Sequence, residues 1–171
     1  MTLSNCSIGR AGARLACIAA LGCGLLAAAH SQTSAQTPAK PVELDAKTLA
    51  FKLPADLKWR DPADKAGTNQ VVLAGDPSKP GLYIVLNKFK PGNFSRPHFH
   101  PNDRHITVVK GTWWIATGNH WDKEKMVPMP MGSHVTHYGG QVHWDGAKDE
   151  EAWVLIVGDG PGTSTPVEIA K

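Results

Sequence analysis

The residues with the clearest potential for chemistry are two histidines that flank one phenylalanine, in the segment His98-Phe99-His100. In a β-strand successive side chains point to opposite faces, so both imidazoles would point to one side and Phe99 to the other. Two neutral imidazoles on a rigid strand supply half of the ligands that a transition metal commonly takes. The spacing therefore predicts part of a metal site, which needs further ligands from elsewhere in the chain.

The elements that must position these histidines are short β-rich runs separated by Gly and Pro turns. Long helical periodicity is absent, and only residues 44–49 are expected to form a helical turn or two. Strands are predicted at 70–74, 82–89, 105–109, 112–117, 133–137, 141–144, 152–158 and 166–169. Many short strands with such turns are typical of an all-β sandwich or barrel, here in a single domain.

Residues 1–31 have the features of a secretory signal peptide. Arg10 and Arg14 precede an apolar run from Leu15 to Ala29, and small residues follow it. We expect cleavage near residue 31 or 35, a flexible linker over residues 32–42 and a folded domain over residues 43–171. The apolar run is shorter than the roughly 20 residues that span a bilayer. A periplasmic or secreted location is predicted; a retained anchor and a lipid-modified Cys23 are the alternatives.

Composition restricts the partners and the metal ligands. All three cysteines lie in the leader, so a metal in the rest of the chain must be bound by nitrogen and oxygen atoms. The full chain has a net charge of +3, which falls to +1 over residues 36–171 because two arginines belong to the leader. No basic stripe and no basic amphipathic helix are present in the sequence, so neither nucleic acid nor, after signal cleavage, a membrane is an expected partner.

Two longer spacings surround the histidines. The stretch from Gly92 to Gly111 is G-x5-H-x-H-x3-R-x6-G, and the stretch from Gly132 to Ala147 is G-x5-Y-x-G-x2-H-x3-A. They resemble the two signature motifs of the cupin superfamily, G-x5-H-x-H-x3-E-x6-G and G-x5-P-x-G-x2-H-x3-N. The resemblance covers roughly residues 70–162, and it implies a double-stranded β-helix, the cupin jelly-roll barrel. It also implies that His143, from the second motif, joins the first two histidines.

The implied ligands of one divalent transition metal are therefore His98, His100 and His143. Imidazoles alone do not choose among Fe, Mn, Ni, Cu and Zn. Where the first motif has its metal-binding glutamate this chain has Arg104, whose guanidinium stays protonated and has no lone pair to offer. A set of three histidines resembles the iron site of thiol and diketone dioxygenases in other cupins.

Alternatives remain open around Arg104. A one-residue bulge would turn His105 inward and give a four-histidine site, and Asp103 is a further candidate for a carboxylate ligand. If Arg104 itself faces the cavity, its fork of donors would bind an anionic substrate. The other interpretation places Arg104 on an outward loop edge.

Two aromatic residues are further candidates for substrate binding. Trp113 is expected either to fill the core or to form a wall of the ligand cavity, and Tyr138 stands where the second motif has its proline. His134 and His137 are expected on the surface or on a sheet face, although one of them could reach the barrel mouth. No catalytic residue is assigned from the sequence.

The function that these features predict is that of a metal-dependent enzyme of the oxygenase type, acting on a small and anionic organic substrate. One alternative is a metal-bearing binding or sensor module without turnover, and another is a metal-free barrel that binds a sugar or another small ligand. The cupin resemblance also implies a homodimer, formed by strand exchange or edge pairing.

Overall fold

The computed structural model describes residues 44–171. The predicted signal peptide and linker lie outside the described residues. Within the described part of the chain, no helix is long and apolar enough to cross a membrane.

Ten β-strands account for most of the regular structure. They are β1 Thr68–Ala74, β2 Gly81–Phe89, β3 His98–Phe99, β4 Arg104–Lys110, β5 Thr112–Thr117, β6 Val127–Pro130, β7 His134–His137, β8 His143–Gly146, β9 Ala152–Gly160 and β10 Thr165–Pro166. Two short 3-10 helices cover Pro54–Asp56 and Lys123–Lys125. Where a helical turn was predicted, the amide of Leu49 donates to the carbonyl of Asp45 at 3.1 Å, which closes a single turn.

The strands form two five-stranded antiparallel sheets. The first has the order β1-β2-β9-β4-β7 and the second the order β10-β3-β8-β5-β6. Strands that are neighbours in a sheet are often distant in the sequence, as in a jelly roll. The predicted all-β jelly-roll barrel is confirmed.

The core lies between the sheets and results from the alternation of side chains along each strand. On β4, Ile106 and Val108 are buried, and they pack with Val154 and Ile156 of β9. Trp113 of β5 covers this cluster from the second sheet. Each fully buried side chain of this size stabilises the fold by about 1.5–3 kcal/mol. Because Arg104 lies two residues before Ile106, the same alternation directs it inward.

Two strands were not predicted. β3 has only two residues, too short to show a periodic pattern. β6 contains Pro128 and Pro130, which weaken a strand signal, but it lies at the edge of the second sheet, where proline is tolerated.

Candidate metal centre

Two neighbouring strands of the second sheet bring three histidines together. His98 of β3 lies directly opposite His143 of β8 in the strand register, and His100 follows two residues after His98. The ring centroids of the three pairs are 4.6 to 5.3 Å apart. One nitrogen from each ring lies within 4.8 Å of the other two. The structure therefore brings together the three ligands implied by the motifs.

The hydrogen bonds of these rings define their tautomers. In each ring Nδ1 contacts a backbone carbonyl oxygen, and a carbonyl can only accept, so a neutral ring must donate from Nδ1. The acceptors for His98, His100 and His143 are the carbonyls of Arg96, Thr163 and Gln141, at 2.7, 2.7 and 3.0 Å. All three Nε2 atoms consequently have a free lone pair, which is the arrangement that orients imidazoles toward a metal.

The Nε2 lone pairs of the three rings would repel one another, whereas a cation placed between them would be attracted by all three. Nε2 of His98 and Nε2 of His100 are 3.1 Å apart, and neither carries a proton to donate. Nε2 of His143 is buried without a hydrogen-bond partner. Two nitrogens bound to one ion at about 2.0–2.1 Å would be separated by about 3.1 Å when their bond angle is about 95–100°. The donor set therefore matches a divalent transition metal.

Burial keeps two of these imidazoles, His100 and His143, in the neutral form that binds metals. Burial, aided by the positive charge of Arg104, lowers the pKa of His100 to about 3. Burial, followed by the effect of His98, lowers the pKa of His143 to about 3. Protons therefore compete weakly for the Nε2 atoms of His100 and His143 at neutral pH.

Arg104 faces inward, which supports its interpretation as a substrate-binding residue over an outward loop edge. Its cross-strand partner is His137 of β7, and its Nη2 donates to Nδ1 of His137 at 3.2 Å. Its Nε is buried without a partner. Burial lowers the pKa of the guanidinium, whereas Asp145 and Tyr83 raise it. An arginine remains a cation under such shifts, so the cavity contains a fixed positive charge.

His105, the alternative fourth ligand, is on the other side of the sheet. It is exposed on the outer face and stacks on His134 with ring centroids 5.9 Å apart. The β4 bulge lies between Val108 and Lys110, after His105, so it does not rotate His105 inward. A four-histidine site that includes His105 is therefore not assembled.

Two other sequence candidates also lie outside the cluster. Asp103 is exposed, and its carboxylate accepts a hydrogen bond from the amide of Gly139 at 2.7 Å. Tyr138 is 64% exposed and does not line the cavity beside the histidines. Tyr138 directly follows His137, which faces inward, and adjacent residues of an extended chain point to opposite sides.

Two residues of the site were missed by the sequence reasoning. His137, expected at a surface or sheet-face position, is only 7% exposed, and its ring centroid is 3.7 Å from that of His143. Asp145 is buried two residues beyond His143 on the same strand, and burial raises the pKa of its carboxyl group. His137, His143 and Asp145 form a second group of potential ligand atoms within 4.8 Å of one another. The His-x-Asp spacing could have revealed Asp145, whereas His137 required the β4–β7 register.

A cavity of about 430 Å³ is lined by two of the three histidines, His98 and His100. Its wall includes His98, His100, Arg104 and Asp145, and Trp113 forms an apolar part of it. Trp113 is also 1% exposed and belongs to the core, so it lies both in the core and in the cavity wall. The volume suits a small organic molecule bound by a few polar groups.

Comparisons with known proteins agree with this architecture. No protein-family model and no curated protein matches the chain. The polyketide cyclase RemF from Streptomyces resistomycificus has a similar structure, with 18% identity and a TM-score of 0.57, over 72% of this chain and 88% of that one. A cupin-2 domain from Rhodospirillum rubrum matches with 14% identity and a TM-score of 0.52, over 77% and 84% of the two chains. The DMSP lyase DddQ from Ruegeria pomeroyi matches with 17% identity and a TM-score of 0.53, over 66% and 62%.

These likenesses define the class of protein at the level of its fold. The chain has the double-stranded β-helix fold of the cupin superfamily. More particularly, it is a double-stranded β-helix barrel whose histidine cluster could hold a metal ion.

Proposed function

We propose that this chain is a metal-dependent enzyme that acts on a small, anionic organic substrate. The observation that carries the proposal is the convergence of three imidazoles, whose Nδ1 atoms donate to backbone carbonyls and leave the Nε2 atoms available, beside a cavity of about 430 Å³. His98, His100 and His143 would hold the metal.

The preference for an anion follows from the charges around the cavity. Three neutral ligands would leave the full charge of a divalent ion in place, and Arg104 adds a further positive charge. Asp145 is a buried acidic group beside them, and even when it is ionised its single negative charge is smaller than the summed charge of the metal and Arg104. An anionic substrate would therefore be attracted by a net positive site in a low-dielectric environment.

For the reaction type we propose an oxygenase. A bound metal would supply Lewis-acid chemistry and, if it is iron, a site for O₂. Three ligands on one face leave coordination positions for substrate. The protein's own contribution would be to bind the anionic group with Arg104 and to exclude water with Trp113 and the apolar wall.

A metal-dependent lyase or cyclase is the second candidate. His137 and Asp145 place two groups that can carry protons next to the metal ligands, and non-redox chemistry needs such groups. Proteins of the same fold with these activities, a polyketide cyclase and a DMSP lyase, have TM-scores of 0.57 and 0.53 to this chain. Consumption of O₂ would separate the two candidates.

The decisive experiment is the metal content of the protein expressed with its own leader. We expect about one transition metal per chain by elemental mass spectrometry, and none in the double variant His98→Ala/His143→Ala. The matched control is His105→Ala/His134→Ala, which removes two histidines from the outer face and should keep the metal. If the protein binds no metal even after reconstitution, the proposal fails in favour of a metal-free binding barrel. If metal is bound but no turnover is found with O₂ or with anionic carbonyl compounds, a binding or sensor module is favoured.

We also propose that the protein is exported and forms a homodimer. The predicted signal peptide supports export, and the cupin resemblance supports dimerisation. Cell fractionation with N-terminal sequencing of the exported form would test the first proposal. Light scattering coupled to size-exclusion chromatography would test the second.

A further inference from the structure

His137 packs against one of the three metal-site histidines, His143, with ring centroids 3.7 Å apart, but its hydrogen bonding is reversed. In His98, His100 and His143, Nδ1 donates to a backbone carbonyl and Nε2 is free. In His137, Nδ1 faces Nη2 of Arg104 at 3.2 Å. A guanidinium has only donors, so Nδ1 of His137 must be the acceptor, and its proton must reside on Nε2.

We infer that Arg104 keeps His137 from becoming a fourth metal ligand and holds it as a neutral hydrogen-bond donor, whose Nε2–H binds the anionic group of the substrate. The identity of the acceptor rests on the proposed function. The tautomer of His137 does not, because it follows from the contact with Arg104 alone.

The surroundings of His137 favour a fixed orientation. It is directly paired with Arg104 across β4 and β7, and both side chains lie on the inner face. The ring of Trp113 packs against it with centroids 5.5 Å apart. Rotation of the imidazole would break the contact with Arg104 and leave the guanidinium with a further unpaired buried donor, in addition to its Nε.

The arginine thus affects the ligand set in two ways. It supplies no lone pair at the position of the motif's glutamate, and it occupies the one lone pair of neutral His137. A metal held by the remaining three imidazoles would keep its positive charge. Besides its proposed contact with the anionic group, Arg104 acts on His137 as a positioning residue, and His137 is a second group expected to contact substrate.

The tautomer can be measured by ¹⁵N NMR of the metal-free protein, since the two ring nitrogens give different patterns of coupling to the carbon-bound protons. We expect the Nε2–H form for His137 in the unmodified protein. Arg104→Met should release His137 to the Nδ1–H form or to a mixture, whereas Arg104→Lys, which retains a cationic donor, should shift it less. Lys110→Met, an exposed change on the same strand, should have no effect. Finding the Nδ1–H form in the unmodified protein would overturn the inference, whether or not any variant folds.

The donor role can be measured with Co²⁺ and azide as probes, because the visible spectrum of bound Co²⁺ reports both ligand number and azide binding. His137→Phe should keep the Co²⁺ and bind azide about 10-fold or more weakly, because a hydrogen bond to a charged group is lost. Arg104→Met should add an imidazole to the Co²⁺ coordination. His134→Phe, on the outer face of the same strand, should match the unmodified protein.

Loss of Co²⁺ from His137→Phe, or unchanged azide affinity, would overturn the donor role. Failure of the unmodified protein to bind Co²⁺ would instead refute the proposed function and, with it, the substrate contact, while the NMR result would still decide the tautomer.

Discussion

Replacing His143 by leucine should have opposite consequences with and without metal. Leucine has a similar volume, so it fills the buried position that His143 occupies at 5% exposure. Without metal, the variant loses the hydrogen bond from Nδ1 to the carbonyl of Gln141 but also removes the buried, unpartnered Nε2. With metal, it removes one of the three ligands.

The magnitudes separate the two cases. A lost neutral hydrogen bond costs about 0.5–1.5 kcal/mol, and a buried unsatisfied polar atom costs about 1–3 kcal/mol, so the metal-free variant should be within about 1 kcal/mol of the unmodified protein. A metal at 100 times its dissociation constant stabilises the folded state by about 2.7 kcal/mol. For a domain of this size that is a rise in melting temperature of roughly 10 °C.

Thermal unfolding followed by circular dichroism measures both quantities: the stability of the metal-free variant in chelator, and the stabilisation by added metal. We expect the unmodified protein and the control His134→Leu to gain about 10 °C with metal, and His143→Leu to gain little. A full metal-dependent gain in His143→Leu would refute the assignment of this ligand. A loss of more than about 3 kcal/mol in chelator would show that His143 is retained for packing, contrary to our reasoning.

Three further predictions concern acid, charge and a turn. Burial lowers the pKa of His137 to about 2 and that of His143 to about 3, from 6.5, so the unfolded chain binds these protons first. The metal-free protein should therefore lose stability as the pH falls from about 6.5 toward 3, by up to about 1.4 kcal/mol per pH unit for each imidazole, in urea titrations; a flat profile would contradict the burial. Arg104→Ala should keep bound metal by elemental analysis and weaken the binding of small carboxylates at least about 10-fold by calorimetry; unchanged binding would remove Arg104 from the substrate site. Gly111 has a φ of +66°, and Gly111→Ala would place a methyl group against the backbone carbonyl just before β9. Gly92 has a φ of +76° with open space around it, so Gly92→Ala should lower the free energy of unfolding by only roughly 1–2 kcal/mol, and Gly111→Ala should lower it by more. Equal losses in urea unfolding would refute this difference.

The sequence was sufficient to predict that His98, His100 and His143 converge, because their positions depend on local periodicity and on motif spacing. The alternation along a strand also predicts the face of Arg104, since counting back from Gly111 places it with Ile106 and Val108. The alternative of His105 remained open because a bulge cannot be located from the sequence. In the structure the bulge lies between Val108 and Lys110, further along β4, so the side chain of His105 stays on the outer face of the sheet.

The inward position of His137 could not be predicted in the same way, because it depends on the pairing register of β7 with β4, which are distant in the sequence. Its partner strand is β4, but β5 and β6 of the other sheet lie between β4 and β7 in the sequence. Taken alone, the spacing of His134 and His137 shows only that one of them faces inward. Tyr138 was overvalued for the same reason, since its motif position gave no information on which side of the chain its ring lies.

One row of residues across four strands explains how an arginine fits where related motifs have a shorter glutamate. Tyr83 of β2, Gly158 of β9, Arg104 of β4 and His137 of β7 are consecutive partners in the first sheet. A Cβ atom at Gly158 would lie 2.6 Å from the hydroxyl oxygen of Tyr83, so the glycine provides the space that the Tyr83 ring occupies beside Arg104. The buried Asp145 and the tyrosine both raise the pKa of the guanidinium, and Nδ1 of His137 accepts a hydrogen bond from its Nη2. The row therefore stabilises the buried guanidinium of Arg104 next to a site that would bind a metal cation. Two buried cations side by side are favourable only if an anion, here the proposed substrate, binds between them.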